Sequence, residues 1–77
     1  MGFKAFDVVR VTAINTDKLL VSDAFNTRAP KVGDIATILE IYGDPYGFEL
    51  ECCDIAGNTE WLIGVQEKDV RIELVNI

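Results

Sequence analysis

Carboxylates carry most of the chemical potential in this chain. Asp and Glu together number 13, Lys and Arg 7, and there is no histidine. Glu49 and Glu51 stand two apart, with Glu40 and Glu60 on either side of them. Paired carboxylates can share acid and base roles. That work needs a cleft, and this pair belongs to a strand surface with no cleft in view, so the chain does not read as an enzyme. Cys52 and Cys53 are the only thiols. A cysteine nucleophile wants a neighbouring base and a lowered pKa. With no histidine, and with carboxylates around Cys53, the neutral thiol is favoured. Zinc needs about four Cys, His or carboxylate ligands in a compact set, and two adjacent cysteines do not supply one. Asp44 and Asp54 fall in turns, and the repeated Asp spacing of a calcium loop is absent. No cofactor and no metal are therefore expected. Among the aromatics, Trp61 reads as core. Tyr42 and Tyr46 flank a turn, a faint sign of the aromatic grooves that receive proline-rich peptides.

Charge narrows the partners. The formal net charge is −6, and an acidic chain repels phosphate backbones. Nucleic-acid modules carry a clustered basic patch, whereas Lys4, Arg10, Lys18, Arg28, Lys31, Lys68 and Arg71 are scattered. A protein partner, and a basic one, suits the charge better. No apolar run reaches the roughly 18 residues of a membrane span, and the first residues lack the apolar stretch of a signal peptide. The adjacent cysteines point to opposite faces of a strand and cannot bridge without distorting the backbone. These features fit a reducing compartment, and the cytoplasm is the expected location.

The elements that must position these residues are strands. A chain of 77 residues makes one domain, 1–77, with a thin core. Residues 6–14, 35–42, 47–54, 59–65 and 70–75 read as five short strands, rich in Val, Ile, Thr and aromatics and separated by turn clusters. Val8, Val9 and Val11 break strict alternation in the first, which predicts a bulge or burial on both sides. Residues 15–34 form a long connection holding Leu19, Leu20, Val21 and Phe25. Too apolar to float free, it is expected to fold over one end of the domain, with a helical turn after Thr16. Residues 66–69 suit a turn of 3₁₀ helix. The fold expected is all-β, a small five-stranded SH3-like barrel with a long loop between strands one and two. Closure would remove exposed edges.

Alternation sets a register. Phe48, Leu50 and Cys52 take one face of the third strand, and Glu49, Glu51 and Cys53 the other. Pairing through the 55–58 turn sets Cys52 against Trp61, Leu50 against Ile63 and Phe48 against Val65 inside. Outside, Cys53 faces Glu60 and Glu51 faces Leu62. Pairing through the 43–46 turn sets Ile41 against Phe48 and Leu39 against Leu50 inside, with Glu40 against Glu49 and Ile38 against Glu51 outside. Glu40, Glu49, Glu51 and Glu60 thus make one carboxylate plate, with Ile38 and Leu62 exposed between them. This plate is the candidate protein-binding surface. The alternative is that glutamates simply keep an exposed sheet hydrated.

Two resemblances add to this reading. Lys31-Val32-Gly33-Asp34-Ile35-Ala36-Thr37-Ile38-Leu39-Glu40-Ile41 resembles the second-strand start of many SH3-like barrels, including the KOW-motif domains, which implies RNA or ribosome contact. Ala36 stands where that motif has its second glycine. More of the chain is similar to a family of short bacterial and cyanobacterial SH3-like proteins of unknown function, often encoded beside putative toxin genes. The segments that carry this likeness are Phe6-Asp7-Val8-Val9-Arg10-Val11, 31–41, 48–54, Gly57 and 66–70, in that order. This resemblance implies an immunity- or antitoxin-type role exercised by binding. A structural or accessory subunit of a larger complex is the alternative. Its contacts would be Ile38, Leu62, Leu19 and Phe25.

Overall fold

The computed structural model describes residues 2–16, 28–44 and 46–75. The β-branched and aromatic segments form five strands: β1 (Val8–Ile14), β2 (Ile35–Gly43), β3 (Tyr46–Cys53), β4 (Thr59–Gln66) and β5 (Val70–Leu74). They make one antiparallel sheet in the order β4-β3-β2-β1-β5. The all-β expectation holds, and the strand limits fall within two residues of those read from the sequence. No helix is long and apolar enough to cross a membrane among the described residues. The helical turn expected after Thr16, and Lys18, Leu19, Leu20, Val21 and Phe25, lie outside the described residues.

All five strands contribute to one buried cluster: Val9 and Val11, Ala36 and Ile38, Phe48, Leu50 and Cys52, Trp61, Ile63 and Val65, and Val70. The described residues form a single sheet, and such a sheet buries one face by curling that face onto itself. Three extra residues promote the bend, because a bulge adds local twist and coil. They are Thr12 against β5, Leu39 against β3 and Glu60 against β3. Of the two expected explanations for the irregular valine run of β1, burial on both sides holds: Val8 is half-buried on the outer side, while the bulge falls after the run, at Thr12.

Hydrogen bonding does not complete a closed barrel. Among the described residues β4 and β5 remain edges, with no ladder between them. The turn at 67–69 joins them. The Asp69 amide bonds to the Gln66 carbonyl at 2.9 Å, while the Glu67 amide is taken by the Tyr46 carbonyl at 3.0 Å. This is one hydrogen-bonded turn rather than the expected 3₁₀ helix, and it sends β5 across to β1 instead of back along β4.

Turn chemistry supports the strand ends. Gly33 and Gly57 adopt φ of +100° and +90°, where a side chain would be strained. The Asp54 carboxylate accepts from the amides of Ala56 and Asn58, both at 2.9 Å, an Asx-type turn that reverses the chain into β4. Gly47 has a different reason. A Cβ there would collide with the Val65 carbonyl on β4 and lie 3.1 Å from Gln66 Cα.

Candidate functional site

The outer face of β2, β3 and β4 gathers carboxylates. Glu40 lies directly opposite Glu49, and Glu51 lies between Thr37 and Leu62. The Tyr42 hydroxyl donates to Glu49 Oε1 at 2.7 Å, and the Thr59 hydroxyl donates to Glu51 Oε2 at 2.6 Å. Gly64 faces Glu49 across the ladder, and a Cβ at Gly64 would sit 3.3 Å from Glu49 Oε1. The missing side chain leaves room for the carboxylate to lie along the sheet. The hydrogen bond to Glu49, then loss of water, then the negative charges of Glu49 and Glu40 push the Tyr42 phenol up to about 12. The described ion pairs are Arg10–Glu73, Arg28–Asp34 and Arg28–Glu60. Glu40, Glu49 and Glu51 are therefore in no ion pair among the described residues.

The expected plate needs two corrections, both caused by bulges. The pairings Ile41–Phe48 and Glu40–Glu49 are as read, but Leu39 is an extra residue, so Ile38 comes opposite Leu50 instead of Glu51. The one-residue slip turns Ile38 into the core, where it is 0 % exposed, while Leu39 is only half-buried. Ile38 is therefore no part of an outer surface. Glu60 also leaves the plate. β3 and β4 pair as expected through Cys52–Trp61, but Cys53 then faces Thr59, leaving Glu60 as the extra residue. Its carboxylate turns to Arg28. Leu62 does lie opposite Glu51, half-buried. The face that remains is Glu40, Glu49 and Glu51, with Tyr42 and Leu62 beside them.

A second polar cluster, which sequence reasoning missed, caps the Trp61 end of the core. Asp34 is almost fully enclosed, its side chain 5 % exposed. Oδ2 accepts from Arg28 Nη1 at 2.8 Å, the Lys31 amide at 2.9 Å and Trp61 Nε1 at 2.9 Å. Oδ1 accepts from Arg28 Nη2 at 3.0 Å. Arg28 also donates to Glu60 Oε1 through Nη2 at 2.7 Å and Nε at 3.1 Å, and to the Ala29 carbonyl at 3.1 Å. Burial pushes the Asp34 carboxyl up, but the bonds from Arg28, the Lys31 amide and Trp61 outweigh it and hold the carboxyl below its usual range. The same bond to Asp34, helped by Glu60, raises Arg28 further above its ordinary value. No buried side-chain polar atom is left unpartnered among the described residues. The cluster fastens the segment from Arg28 to Asp34 onto the core. One clue was in the sequence: a tryptophan read as buried still has an indole N–H that needs an acceptor.

The two thiols lie on opposite faces as expected, Cys52 buried and Cys53 exposed, both free. Loss of water raises both, and the adjacent Glu51 charge adds to the effect at Cys53. Neither is activated as a nucleophile. No group of three or more Cys, Asp or Glu is placed to hold a metal ion among the described residues. Tyr42 and Tyr46 are both partly exposed, but Tyr46 packs edge-on against Phe48, with centroids 5.2 Å apart, while Tyr42 bonds to Glu49. The chain matches no protein-family model, curated protein or solved structure.

Proposed function

We propose that the domain is a protein-binding module that receives a basic partner on the face formed by Glu40, Glu49 and Glu51. In its most specific form it is an immunity- or antitoxin-type inhibitor that acts by occupying its target, and it works in the cytoplasm. One observation carries the reading. Glu40 and Glu49 are directly opposite in the ladder, and neither is in an ion pair among the described residues. Like charges so placed cost up to about 1 kcal/mol. A cationic partner would relieve that cost and would associate faster for the complementary field. Arg10 pairs with Glu73, and Arg28 with Asp34 and Glu60, so neither neutralises this face. The net charge of −6 weighs against RNA contact of the kind the KOW-like segment suggests.

The test compares the wild-type chain with Glu49→Lys/Glu51→Lys as baits at low and high salt. A basic partner held by the wild type at low salt, lost at high salt and lost by the variant supports the acidic face. Equal retention by the variant removes this face from consideration.

An accessory-subunit role is the second reading, and Phe6 favours it. This residue is 74 % exposed at φ +73°, unusual for a bulky side chain. Its amide is bonded to the Ile38 carbonyl at the β2 bulge. Association that survives high salt and fails in Phe6→Ser would select this reading over the first.

A further inference from the structure

A cavity of about 390 Å³ lies between Phe3, the turn at 67–69 and the start of β5. Phe3 and Ile72, both half-buried, supply its accessible apolar wall, with the buried Phe48 and Val70 behind them. The Phe3 ring stands edge-on to Phe48 with centroids 5.6 Å apart. The rim is polar and exposed: Asn15, Glu67, Lys68 and Arg71. Two of the chain's seven basic residues thus meet at one opening. Neither Lys68 nor Arg71 forms an ion pair with a carboxylate among the described residues. Even counting Glu67, the rim is net positive on a chain of net charge −6.

We propose that this cavity binds a carboxylate attached to a small apolar body, with the body against Phe3 and Ile72 and the carboxylate at Lys68 and Arg71. The size sits at the low end of the roughly 300–1,000 Å³ of ligand pockets, which suits one aromatic ring or branched alkyl group. The division of labour is the usual one: apolar walls supply burial, and a few charged groups fix orientation. An amide or alcohol of the same shape would lose the charged half of the recognition. The chemistry has two sources, a free aryl or alkyl carboxylic acid and the C-terminal residue of a peptide with an apolar side chain. The site is independent of the acidic face, since Phe48 and Glu49 project to opposite sides of β3.

The test is a titration of the full chain followed by backbone amide NMR. The ligands are 3-phenylpropionate, its primary amide, and a tetrapeptide ending in Phe with a free or an amidated C-terminus. Saturable shifts at Phe3, Phe48 and Val70 through Ile72, with the carboxylate forms at least about tenfold tighter than the amides, support the proposal. The variant Lys68→Gln/Arg71→Gln should weaken that binding by about tenfold or more while its unliganded spectrum keeps the wild-type dispersion. Both positions are exposed, so the fold should tolerate the changes. Binding by the free acid alone, or by the peptide alone, identifies the source. No saturable shift at these residues up to about 10 mM, or equal affinity of acid and amide, overturns the proposal.

Discussion

At the residue scale, Asp34 does the most with the fewest atoms. It joins Arg28, the Lys31 amide and Trp61 through two oxygens. Replacing it by Asn can keep the bonds from the Lys31 amide and Trp61 on one oxygen, but sets an NH2 against Arg28 Nη2 and removes the counter-charge of Arg28. Arg28 is about a third exposed, which reduces the loss by solvent screening, so Asp34→Asn should destabilise by about 1–3 kcal/mol in urea unfolding. The pH dependence has a definite sign. The folded carboxyl ionises below its unfolded value of 3.8. Its stabilisation is therefore complete above about pH 4–5 and is lost as pH falls through the folded pKa, because the unfolded chain binds the proton first. The wild type should lose stability below about pH 4 more steeply than Asp34→Asn. Equal slopes would show that Asp34 is not the coupled group. Tyr42 offers a second test. Its phenol should ionise near 12 by ultraviolet titration, and Glu49→Gln should bring it back toward the ordinary value of 10.0.

At the element scale, bulges decide which side chains reach which face. The hairpin β3–β4 follows from alternation alone as far as Trp61, because Phe48, Leu50 and Cys52 meet Val65, Ile63 and Trp61. Beyond that point Glu60 drops out of the ladder, and in β2 Leu39 does the same. Neither is marked by glycine or any other local signal. Gly47 lies on the same ladder and can be tested directly. Gly47→Ala would drive a methyl into the Val65 carbonyl of a paired strand that cannot move alone, and should cost about 2–3 kcal/mol. Gly43→Ala, with nothing within 4 Å, is the control and should change stability far less. The Glu40–Glu49 pair gives a prediction of opposite sign. Glu40→Lys replaces repulsion by attraction across the ladder and should stabilise by about 0.2–1 kcal/mol at low salt. If the face is a docking surface, the same change weakens binding, so a gain in stability and a loss of affinity appear together.

At the scale of the whole molecule, charge and curvature divide the surface into two unlike regions. The outer face of the curled sheet presents Glu40, Glu49 and Glu51, while a cavity by the 67–69 turn and β5 has a rim carrying Lys68 and Arg71. A free acid at that opening and a cationic partner on the outer face would occupy opposite sides of β3. Saturating 3-phenylpropionate should therefore leave the salt-sensitive capture of a basic partner unchanged. Competition between them would mean that the two regions are coupled or that one assignment fails.

Composition, alternation and turn residues were enough to determine an all-β chain of five strands, the β3–β4 register through Trp61, the inward Trp61 and the divided faces of Cys52 and Cys53. These are local quantities, fixed by a period of two and by glycine at positive φ. Tertiary structure alone decided that Ile38 is core, that Glu60 leaves the acidic face for Arg28, and that Asp34 is buried at the centre of a polar cluster. It also decided that β4 and β5 do not pair. Each of these depends on where a bulge falls or where a segment distant in sequence lands. A bulge is chosen by the energy of the whole curled sheet, not by the residue that forms it. A buried carboxylate is tolerable only once its donors, here Arg28, Lys31 and Trp61, have been brought together by the fold.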